Sequence, residues 1–135
     1  MHPKTIVRYA VELTPYAIFD MDGTLLCSTG MWDHVTDRIL AKYGKTITHE
    51  QRMANMTLTV EGTAAMFVQQ LGVPLTEPEC AELIRADARY GYAQEATVKP
   101  GVEQVLAAMH ARGVRMCVAS GTETPLIEAA LTSHG

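Results

Sequence analysis

The residues best suited to chemistry are two carboxylates one residue apart, Asp20 and Asp22. They lie in the stretch Ala17-Ile18-Phe19-Asp20-Met21-Asp22-Gly23-Thr24-Leu25-Leu26. On a straight strand side chains alternate with period two, so acids at i and i+2 point the same way. Clustered like charges are costly unless a cation offsets them or one carboxylate takes a proton. Both outcomes suit phosphoryl transfer. A divalent ion can offset the charge of substrate and protein together, and Mg²⁺ favours a few carboxylates plus phosphate oxygens and water. One aspartate can attack phosphorus and form an aspartyl-phosphate. The other can shuttle the proton of the leaving group and then activate water. Gly23 lets the backbone turn sharply beside the acids and brings main-chain groups close to a ligand.

Calcium loops also contain Asp-x-Asp-Gly. Setting Gly23 at the sixth position of such a loop puts Ile18 at the first and Thr29 at the twelfth. Neither is a suitable ligand, so the calcium reading fails. A surface turn explains a lone Asp-Gly, but it is a poor account of the whole Phe-Asp-x-Asp-Gly-Thr-Leu string.

The elements around the acids must present them. Ala17-Ile18-Phe19 suits a short strand covered on both faces, as in parallel α/β sheets. Ligands in such sheets bind beyond the carboxyl ends of the strands, where Asp20 and Asp22 would sit. Upstream, Val7, Tyr9, Val11 and Leu13 alternate with Arg8 and Glu12, which suggests an edge strand over 4–13 ending at Thr14-Pro15.

From 28 to 97 the pattern is helical. Trp32, Val35, Ile39, Leu40 and Tyr43 share one helix face, with Gly44 at the C′ position. Thr48 with Gln51 three residues on reads as a capping box opening a second helix. A third runs from Val60 to Leu71 and buries Ala64, Phe67, Val68 and Leu71. A fourth opens at Thr76-Glu77-Pro78-Glu79, with Leu83, Ile84 and Tyr90 as its inner stripe. The α/β pattern then resumes. Lys99-Pro100-Gly101 leads into a helix with Val102, Val105, Leu106 and Met109 on one face, closed by Gly113. Val114 to Ala119 is a second buried strand ending at Ser120-Gly121-Thr122, and a further helix begins near Thr124-Pro125. The first four N–H groups of a helix lack intrahelical partners, which favours an anion there.

The plan is therefore an α/β core, residues 1–27 and 98–135, interrupted by a helical segment over 28–97. Two parallel strands fall short of the ~4–6 usual in a sheet. Apolar surface from Met109, Ile127 and Leu131 would lack partners, so more chain, or a second copy through self-association, is expected to complete the core.

Net charge is −4 with Lys and Arg scattered, which argues against nucleic acid or an anionic membrane surface as partner. No apolar run approaches the ~20 residues that cross a bilayer, and Met1 to Thr5 lacks the apolar core of a signal peptide. Cys27, Cys80 and Cys117 are widely separated and suit free thiols in a reducing compartment. The histidines show no paired zinc spacing. These features point to a cytoplasmic protein.

Phe19-Asp20-Met21-Asp22-Gly23-Thr24-Leu25 resembles the first motif of the haloacid dehalogenase (HAD) superfamily of phosphatases and phosphotransferases. The helical insertion, then Lys99-Pro100-Gly101-Val102 and Val114 to Ser120, resembles subfamily I, which includes phosphoglycolate phosphatases and β-phosphoglucomutases. The resemblance spans about residues 16 to 135. It implies a HAD-like Rossmannoid parallel core with an inserted α-helical cap over 28–97. It implies that Asp20 is the nucleophile and a Mg²⁺ ligand, and that Asp22 is the general acid/base with its backbone carbonyl on the metal. Ser120 matches the second motif and Gly121 follows it, which implies phosphate contacts from the Ser120 hydroxyl and the Gly121 N–H. Arg52, Asn55, Thr57 and Thr59 fall in a region that often faces the substrate in subfamily I; a solvated helix face explains them as well.

The second aspartate favours an oxygen leaving group, because dehalogenases, P-type ATPases and phosphonatases usually differ at that position. The expected partner is thus a small phosphorylated metabolite, such as a sugar phosphate or a phosphoglycolate-like ester. Three functions are open: a Mg²⁺-dependent phosphatase, a β-phosphoglucomutase-like phosphotransferase, and a truncated, catalytically incomplete or phosphate-binding interaction module. Cys27 stands where the family often has an acid. The family's third-motif Lys and fourth-motif acids would follow the final helix; Glu123 and Glu128 lie in the wrong element to replace them.

Overall fold

The computed structural model describes residues 15–135, so the strand expected over 4–13 lies outside the described residues. The elements run β1 (Tyr16–Phe19), β2 (Leu26–Cys27), α1 (Thr29–Lys42), α2 (His49–Asn55), α3 (Val60–Gln69), α4 (Glu77–Gln94), β3 (Thr97–Val98), α5 (Val102–Ala111), β4 (Arg115–Val118) and α6 (Thr124–His134). The fold is mixed α/β, as the sequence implies. It divides into two compact units. Among the described residues one holds 15–27 and 98–120, the other 28–97 and 121–135.

In the α/β unit, β1 and β4 are parallel, with Tyr16 opposite Arg115 and Phe19 opposite Val118. Main-chain bonds continue past both ends: Arg115 N–H donates to the Pro15 carbonyl at 2.9 Å and Ala119 N–H to the Phe19 carbonyl at 2.8 Å. β2 pairs with β3 in a short ribbon, and Lys99 N–H donates to the Leu25 carbonyl at 2.9 Å. The full coverage expected for β1 is not seen among the described residues: Ile18 is 73% exposed and Tyr16 60%. Helix α5 buries none of its residues completely, and Val105, expected on its inner face, is exposed. Alternate residues of β1 and β4 are exposed, so among the described residues one face of the pair carries no covering layer.

The helical unit has a continuous core. Val35, Ile39, Leu40, Ala64, Met66, Phe67, Ile84, Ala88 and Tyr92 are all buried. Its helix starts follow local rules closely. Thr48 and Thr76 each form a complete capping box, with Gln51 and Glu79 respectively, and Thr59 caps α3 through Gly62 N–H. The acceptor role at Thr76 holds the Glu79 carboxyl below the usual carboxylate range, first through the Thr76 backbone N–H. Gly44, just past α1, has φ +63°, the left-handed conformation that ends helices.

Two sequence expectations need correction in this unit. Val68 and Leu71 are only half-buried, and Met66 takes the core position on α3. The inner stripe of α4 runs through Cys80, Ala81, Ile84, Ala88, Gly91 and Tyr92, so Tyr92 rather than Tyr90 points inward. Tyr90 is 57% exposed and carries the Arg38 guanidinium 5.7 Å from its ring centre. The cause is the spacing: positions 80, 84, 88 and 92 fall four apart on one face, and Tyr90 lies off it. Helix α6 groups with the helices of this unit. Leu126 and Ala130 are buried, and α6 packs along α4.

Candidate active site

β1 delivers Asp20 to the carboxyl end of the parallel pair, and the chain then closes into a tight loop. Met21 anchors that loop. Its side chain is fully buried, and its carbonyl accepts N–H groups from Thr24, Leu25 and Leu26 at 3.2, 3.0 and 3.0 Å. Gly23 takes φ +75°, a conformation that would strain any residue with a Cβ, and its N–H donates to the Leu26 carbonyl at 2.8 Å. Asp22 bridges to Leu26 in the same turn. The strand ends at Phe19, so the loop, not a continued strand, orients the two acids.

Asp20 is exposed and Asp22 half-buried. Asp20 Oδ1 accepts the Met21 N–H at 2.9 Å, and Thr24 Oγ1 donates to Oδ2 at 3.4 Å. A carboxylate held by two donors is fixed in direction and remains open to solvent on its other lone pairs. The register places Ala119 opposite Asp20, so Ser120, one residue further on, emerges at the same end of the sheet. Two strands distant in sequence thus bring Asp20 and Ser120 to one end of the strand pair. An apolar groove of about 250 Å³ adjoins the loop, lined by Phe19, Leu25, Val102, Val105 and Leu106 among others. Without a charged residue in its lining it is no place for a phosphate dianion.

Among the described residues, no three His, Cys, Asp or Glu side chains cluster as metal ligands. The donors on hand are hard oxygens at Asp20 and Asp22, which match the Mg²⁺ habit of taking one or two carboxylates and filling its shell with water and phosphate. No helix among the described residues is long and apolar enough to cross a membrane. Cys27, Cys80 and Cys117 are free thiols.

The remaining residues singled out by sequence lie in the helical unit. Gly121 is exposed and precedes α6. The start of α6 offers fewer amides than the general rule suggests: Pro125 has none, and the Leu126 N–H donates to the Glu123 carbonyl at 3.0 Å. Arg52, Asn55, Thr57 and Thr59 all have local partners. Arg52 pairs with Asp33 at 3.1 Å and Asp37 at 2.5 Å. Asn55 Oδ1 accepts from Thr63 at 2.7 Å, and Thr57 donates to the Ala54 carbonyl at 2.9 Å. Thr59 is the α3 cap. Trp32 is half-buried, its N–H donating to the Tyr92 hydroxyl and its ring edge-on to that of Tyr92 at 5.9 Å. Sequence reasoning passed over Arg85 and its pairing with Glu123, which joins residues far apart in the chain and leaves no periodic signal.

The chain is 31% identical over 119 residues to a Drosophila melanogaster protein described as a probable pseudouridine-5'-phosphatase, covering 88% of this chain and 51% of that one. It is 30% identical over 112 residues to (DL)-glycerol-3-phosphatase 1, mitochondrial, of Arabidopsis thaliana, covering 81% and 37%. Among solved structures, CbbY from Rhodobacter sphaeroides in complex with phosphate superposes with a TM-score of 0.74 at 22% identity, over 90% of this chain and 57% of CbbY. A HAD family hydrolase from Deinococcus radiodurans R1, with bound phosphate and sodium, gives 0.60 at 25% identity, over 90% and 53%. The chain spans about half the length of the first of these relatives and less of the second. The family model for haloacid dehalogenase-like hydrolases matches residues 15–135, and the chain belongs to that family.

Proposed function

We propose that the protein carrying this chain is a Mg²⁺-dependent phosphatase of small phosphate monoesters, working through an aspartyl-phosphate on Asp20. The observation that carries the reading is the meeting of Asp20, Asp22 and Ser120 at the carboxyl end of one parallel strand pair. In the first half-reaction an Asp20 carboxylate oxygen attacks phosphorus while the ester oxygen leaves with a proton from Asp22. In the second, Asp22, now a carboxylate, takes a proton from water as the water oxygen attacks the aspartyl-phosphate, releasing inorganic phosphate and restoring Asp20. Ser120 and the Gly121 N–H would hold the non-reacting phosphate oxygens. The Asp20 carboxylate and the Asp22 carbonyl would hold Mg²⁺, which supplies charge stabilisation for the transferring group. Residues 28–97 would act as a cap that excludes water until hydrolysis.

The relatives named for pseudouridine 5'-phosphate and glycerol 3-phosphate hydrolysis support a sugar- or polyol-phosphate substrate. The test is turnover of a panel of such esters by the full-length protein. We expect Asp20→Asn to lose at least ~10³-fold in kcat, since an amide oxygen cannot serve as nucleophile. Undiminished turnover in that variant would overturn the mechanism. Isomerised sugar phosphate from glucose 1-phosphate, in place of free phosphate, would assign the phosphomutase function instead.

A further inference from the structure

The helical unit holds one stretch that its core does not reach. From Ala41 to Thr59 no residue is buried, although α1, α3, α4 and α6 each bury at least two. Helix α2 sits in the middle of that stretch and buries none of its seven residues. Met53 and Met56 face solvent. A helix of this length is well below the ~12–15 residues at which isolated helices become even marginal in water. Its capping box satisfies amides at its start, but α2 persists only because groups outside it hold it in place.

The two ends of the stretch are pinned by packing. At its start the Lys45 side chain lies over Gly72, where an added Cβ would stand 3.4 Å from Nζ. At its close Leu58 lies against Gly62, where an added Cβ would stand 3.3 Å from Leu58 Cβ. Asn55 Oδ1 accepts from the Thr63 hydroxyl nearby, at 2.7 Å. Between these ends the main-chain hydrogen bonds are local. Arg52 N–H donates to the Thr48 carbonyl at 2.9 Å, Met56 N–H to Arg52 at 3.2 Å and Leu58 N–H to Asn55 at 3.1 Å. From the middle of α2, Arg52 reaches α1. Its guanidinium pairs with Asp33 at 3.1 Å and Asp37 at 2.5 Å, acids one turn apart on that helix. Without Arg52 these two carboxylates would stand four residues apart on one helix face and repel. The Asp33 and Asp37 side chains are 46% and 58% exposed, so water and salt screen both pairs.

We propose that residues 46–57 form an arm latched to α1 by charge, with Arg52 as the latch, and that the arm opens while the core of the helical unit stays folded. Segments with little buried apolar surface open locally at low cost, because nothing buried has to be exposed. Opening melts α2, since a detached helix of seven residues is unstable. It also releases the Arg52 guanidinium and the Asp33 and Asp37 carboxylates to solvent ions. The arm therefore responds to ionic strength, whereas the apolar packing of α4 does not.

Amide hydrogen exchange of the full chain, read residue by residue, tests this. In the parent chain the amides of Met53 to Met56 should exchange at least ~100-fold faster, relative to intrinsic rates, than those of Ile84 and Ala88 in α4. Arg52→Ala should speed the arm amides a further ~5–10-fold, the scale of two partly exposed ion pairs, and leave Ile84 and Ala88 unchanged. Raising NaCl from about 0.05 M to about 0.5 M should speed the arm amides in the parent chain but not in Arg52→Ala. Asp33→Asn with Asp37→Asn should match Arg52→Ala, and adding Arg52→Ala to that pair should change little, because the three charges act as one unit. Arm amides as slow as those of α4 in the parent chain would mean opening only with global unfolding, and would overturn the proposal. Arm exchange unchanged in Arg52→Ala, equal acceleration of arm and α4 amides, or a salt dependence that survives the loss of Arg52 would overturn it too. Should Arg52→Ala not fold, Arg52→Gln carries the same comparison.

Discussion

Phe67, Ile84 and Tyr92 in the helical unit are fully or almost fully buried, whereas Tyr16 and Ile18 on β1 are 60% and 73% exposed. Both sets of residues belong to apolar stretches that sequence alone would send to a core. The difference lies in where their partners come from. Helices α1, α3, α4 and α6 bury one another in pairs, with α4 at the centre of each of the main packings. An amphipathic helix needs one apolar stripe facing another. A parallel strand needs hydrogen-bonding neighbours on two edges and covering layers on two faces. β1 has β4 on one edge, and within the described sheet no strand on the other.

The candidate acids nevertheless sit in the more open unit. There the anchor is local: the buried Met21 collects three N–H groups on one carbonyl and so holds the Asp20–Asp22 loop against its own turn. The acids are ordered by a loop of a few residues, while the strand that leads to them is half-solvated. Functional groups on short loops at the ends of rigid elements are the usual way to combine exposure with fixed geometry.

The sharpest way to break this comparison is to remove one apolar side chain from each unit and measure denaturant midpoints. Phe67→Ala should cost about 3–5 kcal/mol, the range for deleting a buried aromatic, while Ile18→Ala should fall within about 0.5 kcal/mol. Equal costs would show that β1 is covered as thoroughly as the helices. A smaller effect is expected at Gly91, where a Cβ would lie 2.5 Å from Met31 Cγ and Sδ. Gly91→Ala should therefore destabilise the α1–α4 contact by about 1–3 kcal/mol, less if Met31 can swing away. A stabilised variant would mean that the contact is looser than drawn.

The smallest effect separates the units by pH. Hydrogen bonds from Arg85 lower the Glu123 carboxyl below its usual value. A carboxyl lowered on folding contributes stability that is complete above its unfolded-state value, near pH ~4.3, and is lost as pH falls through the folded-state value. Thermal unfolding of the helical unit should therefore become less stable below about pH 4, and Glu123→Gln should flatten that part of the profile. An identical acid slope in the variant would remove Glu123 from the account.

Much of the molecule was legible before any coordinates. Thr48 and Thr76 head two helices because capping uses side chains within three residues of the cap, a distance a sequence displays directly. Gly44 and Gly113 end helices for the same local reason. Asp20, Asp22 and Gly23 were legible as a candidate site because a strand and a turn adjoin in one short stretch. The sequence also indicated two strands, β1 and β4, but not their register.

Tertiary structure decided the rest. Only pairing across the chain aligns Phe19 with Val118 and so brings Ser120 to the edge that carries Asp20. Only packing chose Tyr92 over Tyr90 as the buried ring, and joined Arg85 to Glu123 across two helices. The same Asp20–Asp22 stretch that sequence marks as chemical gains Ser120 as a neighbour only through the pairing of β1 with β4. Local preferences are properties of neighbouring residues, whereas burial and ion pairing are set by which surfaces meet once the chain has closed loops of many residues.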